Sequence, residues 1–464
     1  MNPTFRCAIV LLALGSCGLP LLAVDTVAGE AALPVSFVKE VAPIFLKKCS
    51  VCHGPEKSKS GYQLVTFNLA MKAGSSKAAP ITPGDPANSK LFQLITTLDE
   101  DDRMPQKDER LSAEQIARVE QWIKAGARFD GPDPNAPLLT LVPPAPYPLS
   151  PDVYPRPVPV TALAFSPDGR ALAASGYHEV NIWNPENGHL ERRIQRLPQR
   201  ISALAYDSTG RRLVAAGGTP GQMGAALLLD PAAGVVLRSI ATFPDVALCA
   251  ALSPDGTRLA VGGADNAIHL YDTRSWKEQL RIEQHADWVM DLAFSPDGAQ
   301  IASASRDRTA RIYNATTGDL ETTYTGHEAP VASVAFSPDA QTVFSAGRDR
   351  KIHAWATKDA KKRGEIDGFD GEVFRVLIQR DRLFACSADK SVRMYQLENH
   401  KLLRSYPGHS DWVYALAFDP KTQRLASGSF DGQVRVWNPE IEQPTCVFTA
   451  APGFSVLKQE TSVK

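Results

Sequence analysis

Residues 285–314 read HADWVMDLAFSPDGAQIASASRDRTARIYN, and residues 327–356 read HEAPVASVAFSPDAQTVFSAGRDRKIHAWA. Each stretch gives an alternating strand, an FSPD turn and a second strand. An aspartate follows, with an aromatic residue six positions later. Working outward, the phrase recurs at Phe165–Asp168, Phe294–Asp297 and Phe336–Asp339, with variants at Leu252–Asp255 and Phe418–Pro420. The six-residue offset holds for Asp265–Tyr271, Asp307–Tyr313, Asp349–Trp355, Asp389–Tyr395 and Asp431–Trp437. A period of about 40 residues marks stacked supersecondary units, none of which buries its apolar face alone. Two weaker copies precede these five: one ends at Trp183 with Tyr177 in the aspartate position, and one spans 201–240 with Leu229 in place of the aromatic. The repeats thus predict an all-β region over 159–450 made of seven units, followed by a tail at 451–464. Closure of the ring is left to either the segment before 160 or the last strand around Thr445–Ala450.

Over its whole length this region resembles the WD-repeat family. The resemblance implies a propeller of four-stranded blades with broad protein-binding faces. It also implies that His285, His327 and His409, each twenty-two residues before Asp307, Asp349 and Asp431, belong to buried hydrogen-bond networks. Three identical spacings point to scaffolding, because an active site need not repeat. His269 and His353 share one third-strand position where other units carry Asn181, Arg311, Arg393 and Arg435. That tolerance predicts a solvated position and no metal.

Upstream, Cys49-Ser50-Val51-Cys52-His53 is the pattern of covalent haem attachment. Two thiols at this spacing reach the two vinyl groups of one haem, and the next residue brings an imidazole to the iron. A zinc site wants four ligands, and 33–128 holds no Cys or His beyond these three. A redox disulfide wants a thioredoxin-like strand pattern in front, which is absent. With no other His between residues 1 and 177, a strong-field sixth ligand within the domain is Met104 or Met71. Met104, in Arg103-Met104-Pro105, precedes a proline that favours an extended loop; Met71, in NLAMKAG, reads as a packing residue. Lysine, water or an open position are the remaining alternatives.

Helical period frames the motif. Phe37, Val41, Ile44, Phe45 and Cys49 share one face, with Pro43 predicting a kink or a helix start. Ser112 and Gln115 form a capping box ahead of Ile116, Val119, Trp122 and Ile123, and Gly126 ends that helix. The segment is similar to the planctomycete-type cytochrome c family in FVKEVAPIFLKKCSVCHGP, ITPGDPANSKLFQLI, DRMP and LSAEQIARVEQWIKAGA, which cover nearly all of 36–127. The resemblance implies one covalent haem c, thioether attachment at Cys49 and Cys52, His53 as proximal ligand, Met104 as distal ligand, and electron transfer with a redox partner protein.

The full reading is a small all-α class I cytochrome c domain over 33–128, a proline-rich linker over 129–158, and an all-β seven-bladed WD-repeat propeller. Residues 1–24, with Arg6 ahead of an apolar run broken by Gly15, Ser16, Gly18 and Pro20, predict a signal peptide and export to the periplasm. Leu14-Gly15-Ser16-Cys17 also resembles a lipoprotein box, so membrane attachment follows only from lipidation at Cys17 or an uncleaved signal. Cys249, Cys386 and Cys446 are scattered and read as small hydrophobes. A net charge of −1 over 464 residues gives no case for nucleic-acid binding. The acidic run Asp99–Asp102 reads as a solvated loop or a patch for a basic partner. An electron-transfer and binding protein fits these features better than a catalyst. Two other readings are an oxidoreductase subunit whose propeller holds a substrate or second cofactor, and a scaffold with a structural or sensing haem.

Overall fold

The computed structural model describes residues 35–54, 58–106, 109–142 and 147–454. The predicted signal segment, with Cys7 and Cys17, lies outside the described residues, as do residues 455–464 of the predicted tail. The chain divides into two compact units after Pro143.

The first unit is small and helical. A π-helical turn, Phe37–Val41, runs straight into α1, Ala42–Lys48, which carries Pro43 in its first turn, where the missing N–H costs nothing. Helices α2 (Ser50–His53), α3 (Phe67–Ala70), α4 (Lys90–Thr96) and α5 (Ala113–Lys124) follow. The predicted capping box starts α5, with reciprocal bonds between Ser112 and Gln115. Gly126, at φ +94°, ends it in a conformation open to glycine. The buried faces of α1 and α5 meet on Phe37, Phe45, Val119, Trp122 and Ile123, with the Phe37 and Trp122 rings 5.1 Å apart. Phe129 and the fully buried Leu138 join this core, and the Val38 N–H donates to Asp130 at 2.9 Å. Residues 129–142, part of the stretch predicted as linker, thus pack into the helical unit.

The second unit is a β-propeller. Its first sheet holds seven strands: β1 (Leu163–Phe165), β2 (Leu172–Ser175), β3 (Tyr177–Trp183), β4 (Leu190–Tyr206), β5 (Leu213–Thr219), β6 (Met223–Asp230) and β7 (Val235–Phe243). Among the described residues, five separate four-stranded sheets complete the ring. The expected seven independent blades are therefore corrected to five. The first two repeats merge, because β4 pairs with β3 over Leu190–Gln195 and then with β5 over Arg200–Tyr206 without an intervening loop. The β1 strand packs beside Val413–Asp419, the inner strand of the last sheet, in one cluster with Phe165, Trp183, Ala415 and Val434. The last sheet draws all four strands from its own repeat. The segment before 160 adds no strand but fastens the seam. The Val160 N–H donates to the Ser429 carbonyl at 3.0 Å, Tyr154 N–H to Pro452 at 3.2 Å, and Tyr154 Oη to the buried Glu179 at 2.8 Å.

Within three sheets the predicted networks are in place. His327 Nδ1 lies 2.6 Å from Asp349, its Nε2 2.7 Å from Ser345 Oγ, and Trp355 Nε1 donates to that Oγ at 3.0 Å. His409, Asp431, Ser427 and Trp437 repeat the set, and His285, Asp307 and Ser303 share its first three members. Burial tends to raise the Asp431 pKa, but hydrogen bonds from His409 and from the Gln433 and Ser410 backbone outweigh it and hold it at about 2. Asp307 and Asp349 are lowered in the same way, with the same opposition from burial. A carboxylate depressed in the fold contributes stability that is full above its unfolded pKa, about 3.9, and is lost as pH falls through the folded value. The contribution of these three carboxylates to the thermal midpoint of the propeller is therefore expected to be full above about pH 4 and to be lost between about pH 4 and 2. Circular-dichroism melts across that range check it, and a flat profile to pH 2 contradicts it.

Candidate functional site

The attachment motif occupies the junction of two short helices. Cys49 closes α1, its N–H donating to the Phe45 carbonyl, and the same residue opens α2, its carbonyl accepting from Cys52 and His53. One helical turn thus carries both thiols and the imidazole. Gly54 must follow: a Cβ there would collide with the Ser50 carbonyl oxygen. Cys49 and Cys52 are free and half-buried. Burial, then the neighbouring Cys52, pushes the Cys49 thiol up to about 12.

His53 Nδ1 lies 3.0 Å from the Tyr62 carbonyl oxygen. A carbonyl only accepts, so Nδ1 carries the proton and Nε2 keeps its lone pair for a metal. Tyr62 is fixed in turn, its hydroxyl donating to the Ala70 carbonyl at 2.8 Å. Burial, followed by Cys49, raises the Tyr62 pKa, keeping that hydroxyl a donor.

Met104 sits half-buried in the loop after α4, its N–H donating to the Leu94 carbonyl at 2.9 Å. Arg103 braces this loop, reaching Glu100 and the Pro105 carbonyl at 2.6 Å each, and Arg110 meets the same Glu100 at 2.8 Å. Lys59, in the turn after α2, donates to Gln106 at 3.5 Å and so links the Met104 loop to the motif. Met71 behaves as the sequence predicts: it follows α3 and packs against the helical core, whereas Met104 does not join that cluster. The acidic run is partly neutralised, since Glu100 spends its charge on Arg103 and Arg110.

The sequence gives no sign of the Tyr62 carbonyl or the Arg103–Glu100–Arg110 brace, because both depend on how loops distant along the chain return. The histidines of the third strands depart from expectation. His269 and His353 are 6% and 3% exposed, not solvated. His269 Nε2 bonds Asp265 at 2.9 Å, and the Phe243 ring at the end of β7 stands 5.0 Å from the imidazole. Arg393 serves Asp389 likewise at 2.8 Å while lying 4.4 Å from the centre of the Phe369 ring. In these two sheets a side chain four residues after the aspartate thus makes the bond that His285, His327 and His409 make in the others. His327, Asp349 and His353 lie close enough to share an ion. Both nitrogens of His327 are already engaged, however, and its ring stacks on His353 at 4.1 Å and 9°, so their in-plane lone pairs cannot converge.

Comparison with known proteins agrees with both parts. Residues 49–108 match the family described as Planctomycete cytochrome C. Residues 154–184, 238–272, 276–314, 318–356 and 400–438 match WD domain, G-beta repeat, in five copies rather than seven. The unmatched stretches hold Leu229 in place of the aromatic and Phe369 in place of the histidine. Striatin-4 of Mus musculus is 35% identical over 99 residues, 21% of this chain and 9% of that protein. The human kinesin-like protein KIF21B is 36% identical over 77 residues, 16% of this chain and 5% of its own length. Protein transport protein sec13 of Aspergillus clavatus is 37% identical over 68 residues, 14% of this chain and 23% of that one. The chain therefore spans under a quarter of each of these relatives.

Proposed function

We propose that this chain, a planctomycete-type cytochrome c domain joined to a WD-repeat propeller, binds one haem covalently, works outside the cytoplasm as a one-electron carrier, and holds a protein partner on its propeller. The observation that carries the haem assignment is the His53–Tyr62 bond beside two free thiols, which presents Nε2 as a ligand within reach of the attachment cysteines. Cys49 and Cys52 supply the thioethers, His53 the imidazole and Met104 the thioether sulfur. When bound, the haem supplies reversible one-electron chemistry at iron; His and Met ligation holds its potential high relative to anionic ligands. The chain's own part is to fix the imidazole tautomer through Tyr62 and to keep the Met104 loop braced through Arg103.

Export is supported by the signal-like residues 1–24. No described helix is long and apolar enough to cross a membrane. The test is the purified full chain: a c-type reduced spectrum that resists acidified acetone, with reduction by a periplasmic-range donor, supports the reading. A protein without added macrocycle overturns it.

The partner-binding part rests on an exposed aromatic cluster. Trp412 and Phe430 are 47% and 48% exposed and form one cluster with Phe374 and Tyr414, in which neighbouring ring centres lie 4.8–6.5 Å apart. Such rings are enriched at binding hot spots. Trp412→Ala is expected to weaken capture of the native partner at least tenfold while leaving the melting temperature within about 2 °C, consistent with a surface change. Quantitative pull-down from periplasmic extract, with calorimetry of the variant, measures both.

A further inference from the structure

Sheets with free edges recruit extended chains unless the edge is short or charged. Most outer strands of this propeller are defended in that way. Those of the five separate sheets are five or six residues long and carry Glu278 and Arg281, Glu321, Lys362 with Arg363 and Glu365, or Arg404, while the last begins at Pro444. The outer strand β7 is different. It runs nine residues, VVLRSIATF, at the end of the seven-stranded sheet, and Val235, Val236 and Leu237 are 47%, 38% and 49% exposed. Beside it lies a groove of about 490 Å³, walled by Val235, Val236, Leu227 and Leu149 and by Arg193 and Arg196 of β4.

The charge beside this groove is one-sided. Over Leu190–Leu197 β4 carries Arg192, Arg193 and Arg196 against Glu191, and β7 adds Arg238 with no acid at all. Arg193 is neutralised by the buried Glu179 at 2.7 Å. Arg192, Arg196 and Arg238 are exposed and make no ion pair among the described residues.

We infer that β7 is a strand-addition site that takes an extended segment of a protein partner in which apolar and acidic residues alternate. Main-chain hydrogen bonds to the free edge supply the common affinity of this mode. The apolar side chains of the segment fall on one face of the extended strand, against Val236, and its carboxylates meet Arg192, Arg196 and Arg238. This goes beyond the partner face at Trp412, which lies on other sheets.

The test is fluorescence anisotropy on the intact holoprotein with a labelled Val-Glu-Val-Glu-Val-Glu-Val peptide. The expected result is binding at least tenfold tighter than the Val-Lys-Val-Lys-Val-Lys-Val peptide at low salt, with the preference shrinking as salt screens it. Methylating alternate backbone nitrogens of the acidic peptide is expected to abolish binding in one of the two possible registers, as edge pairing requires. Val236→Lys and Arg196→Glu are each expected to weaken binding tenfold or more; the exposed Arg196 keeps the test intact if the Val236 variant fails to fold. Equal binding of both peptides overturns the inference, as does wild-type affinity in a folded Arg196→Glu variant. Self-association of the protein that Val236→Lys removes also overturns it, because the edge then serves a second copy. The haem spectrum is unaffected by either variant, so failure here is separable from failure of the electron-carrier reading.

Discussion

The double substitution Cys49→Ser, Cys52→Ser is expected to give a chain whose colour extracts completely into acidified acetone and whose mass lacks the macrocycle. The effect is all-or-none because covalent retention depends on two sulfur–carbon bonds that no hydroxyl replaces. The single variants sharpen the test, each leaving one thioether and so a haem that stays attached but with a shifted absorption band. Intact-mass spectrometry and haem staining after denaturing electrophoresis read the outcome. Haem that stays fixed in the double variant sinks the assignment. Cys49 only borders the helical core around Phe37 and Trp122, and Cys52 is not part of it, so the secondary structure of the variant is expected to form, and far-ultraviolet circular dichroism checks this.

The second large effect is expected at Met104. Met104→Ala leaves the haem attached through Cys49 and Cys52 and keeps His53, but removes the second strong-field ligand. The reduction potential is expected to fall by on the order of 100 mV or more, within the roughly 0.8 V that axial ligands span. Carbon monoxide, excluded from the reduced wild type, is expected to bind the reduced variant. Spectroelectrochemistry and the ferrous-minus-carbonyl spectrum measure the two changes. Met71→Ala serves as the control: its side chain packs against the core, so it is expected to cost stability and leave the potential near wild type. The opposite pattern transfers the ligand role to Met71.

Both units are readable from sequence because each rests on a short-range code. The haem motif is five contiguous residues, the α5 start is a four-residue box, and the blades announce themselves by a fixed aspartate-to-aromatic offset. What escaped reading depends on contacts between distant residues. The separation of the first two repeats could not be judged, since no residue in Leu190–Tyr206 signals that a turn is missing. Gln195 and Arg200 stay on one strand although Arg196 between them takes φ +59°, where the other repeats break the strand with a turn. The burial of His269 and His353 was hidden for a related reason. A position that accepts His, Asn and Arg looks solvated from residue identity, yet the fold buries the two histidines, His269 bonding Asp265 and His353 bonding the Tyr324 hydroxyl. The Tyr62 carbonyl is a main-chain atom and leaves no trace in residue identity.

The seam of the ring has a practical consequence. Because the last sheet needs no strand from elsewhere, the join between β1 and Val413–Asp419 depends on apolar contact and on the strap formed by Arg193 holding the Pro151 carbonyl at 2.6 Å, Tyr154 on Glu179 and Val160 on Ser429. Anyone excising the blades for crystallisation should cut upstream of Ser150. A fragment starting at residue 159 discards two of those three ties and leaves a hoop without its buckle.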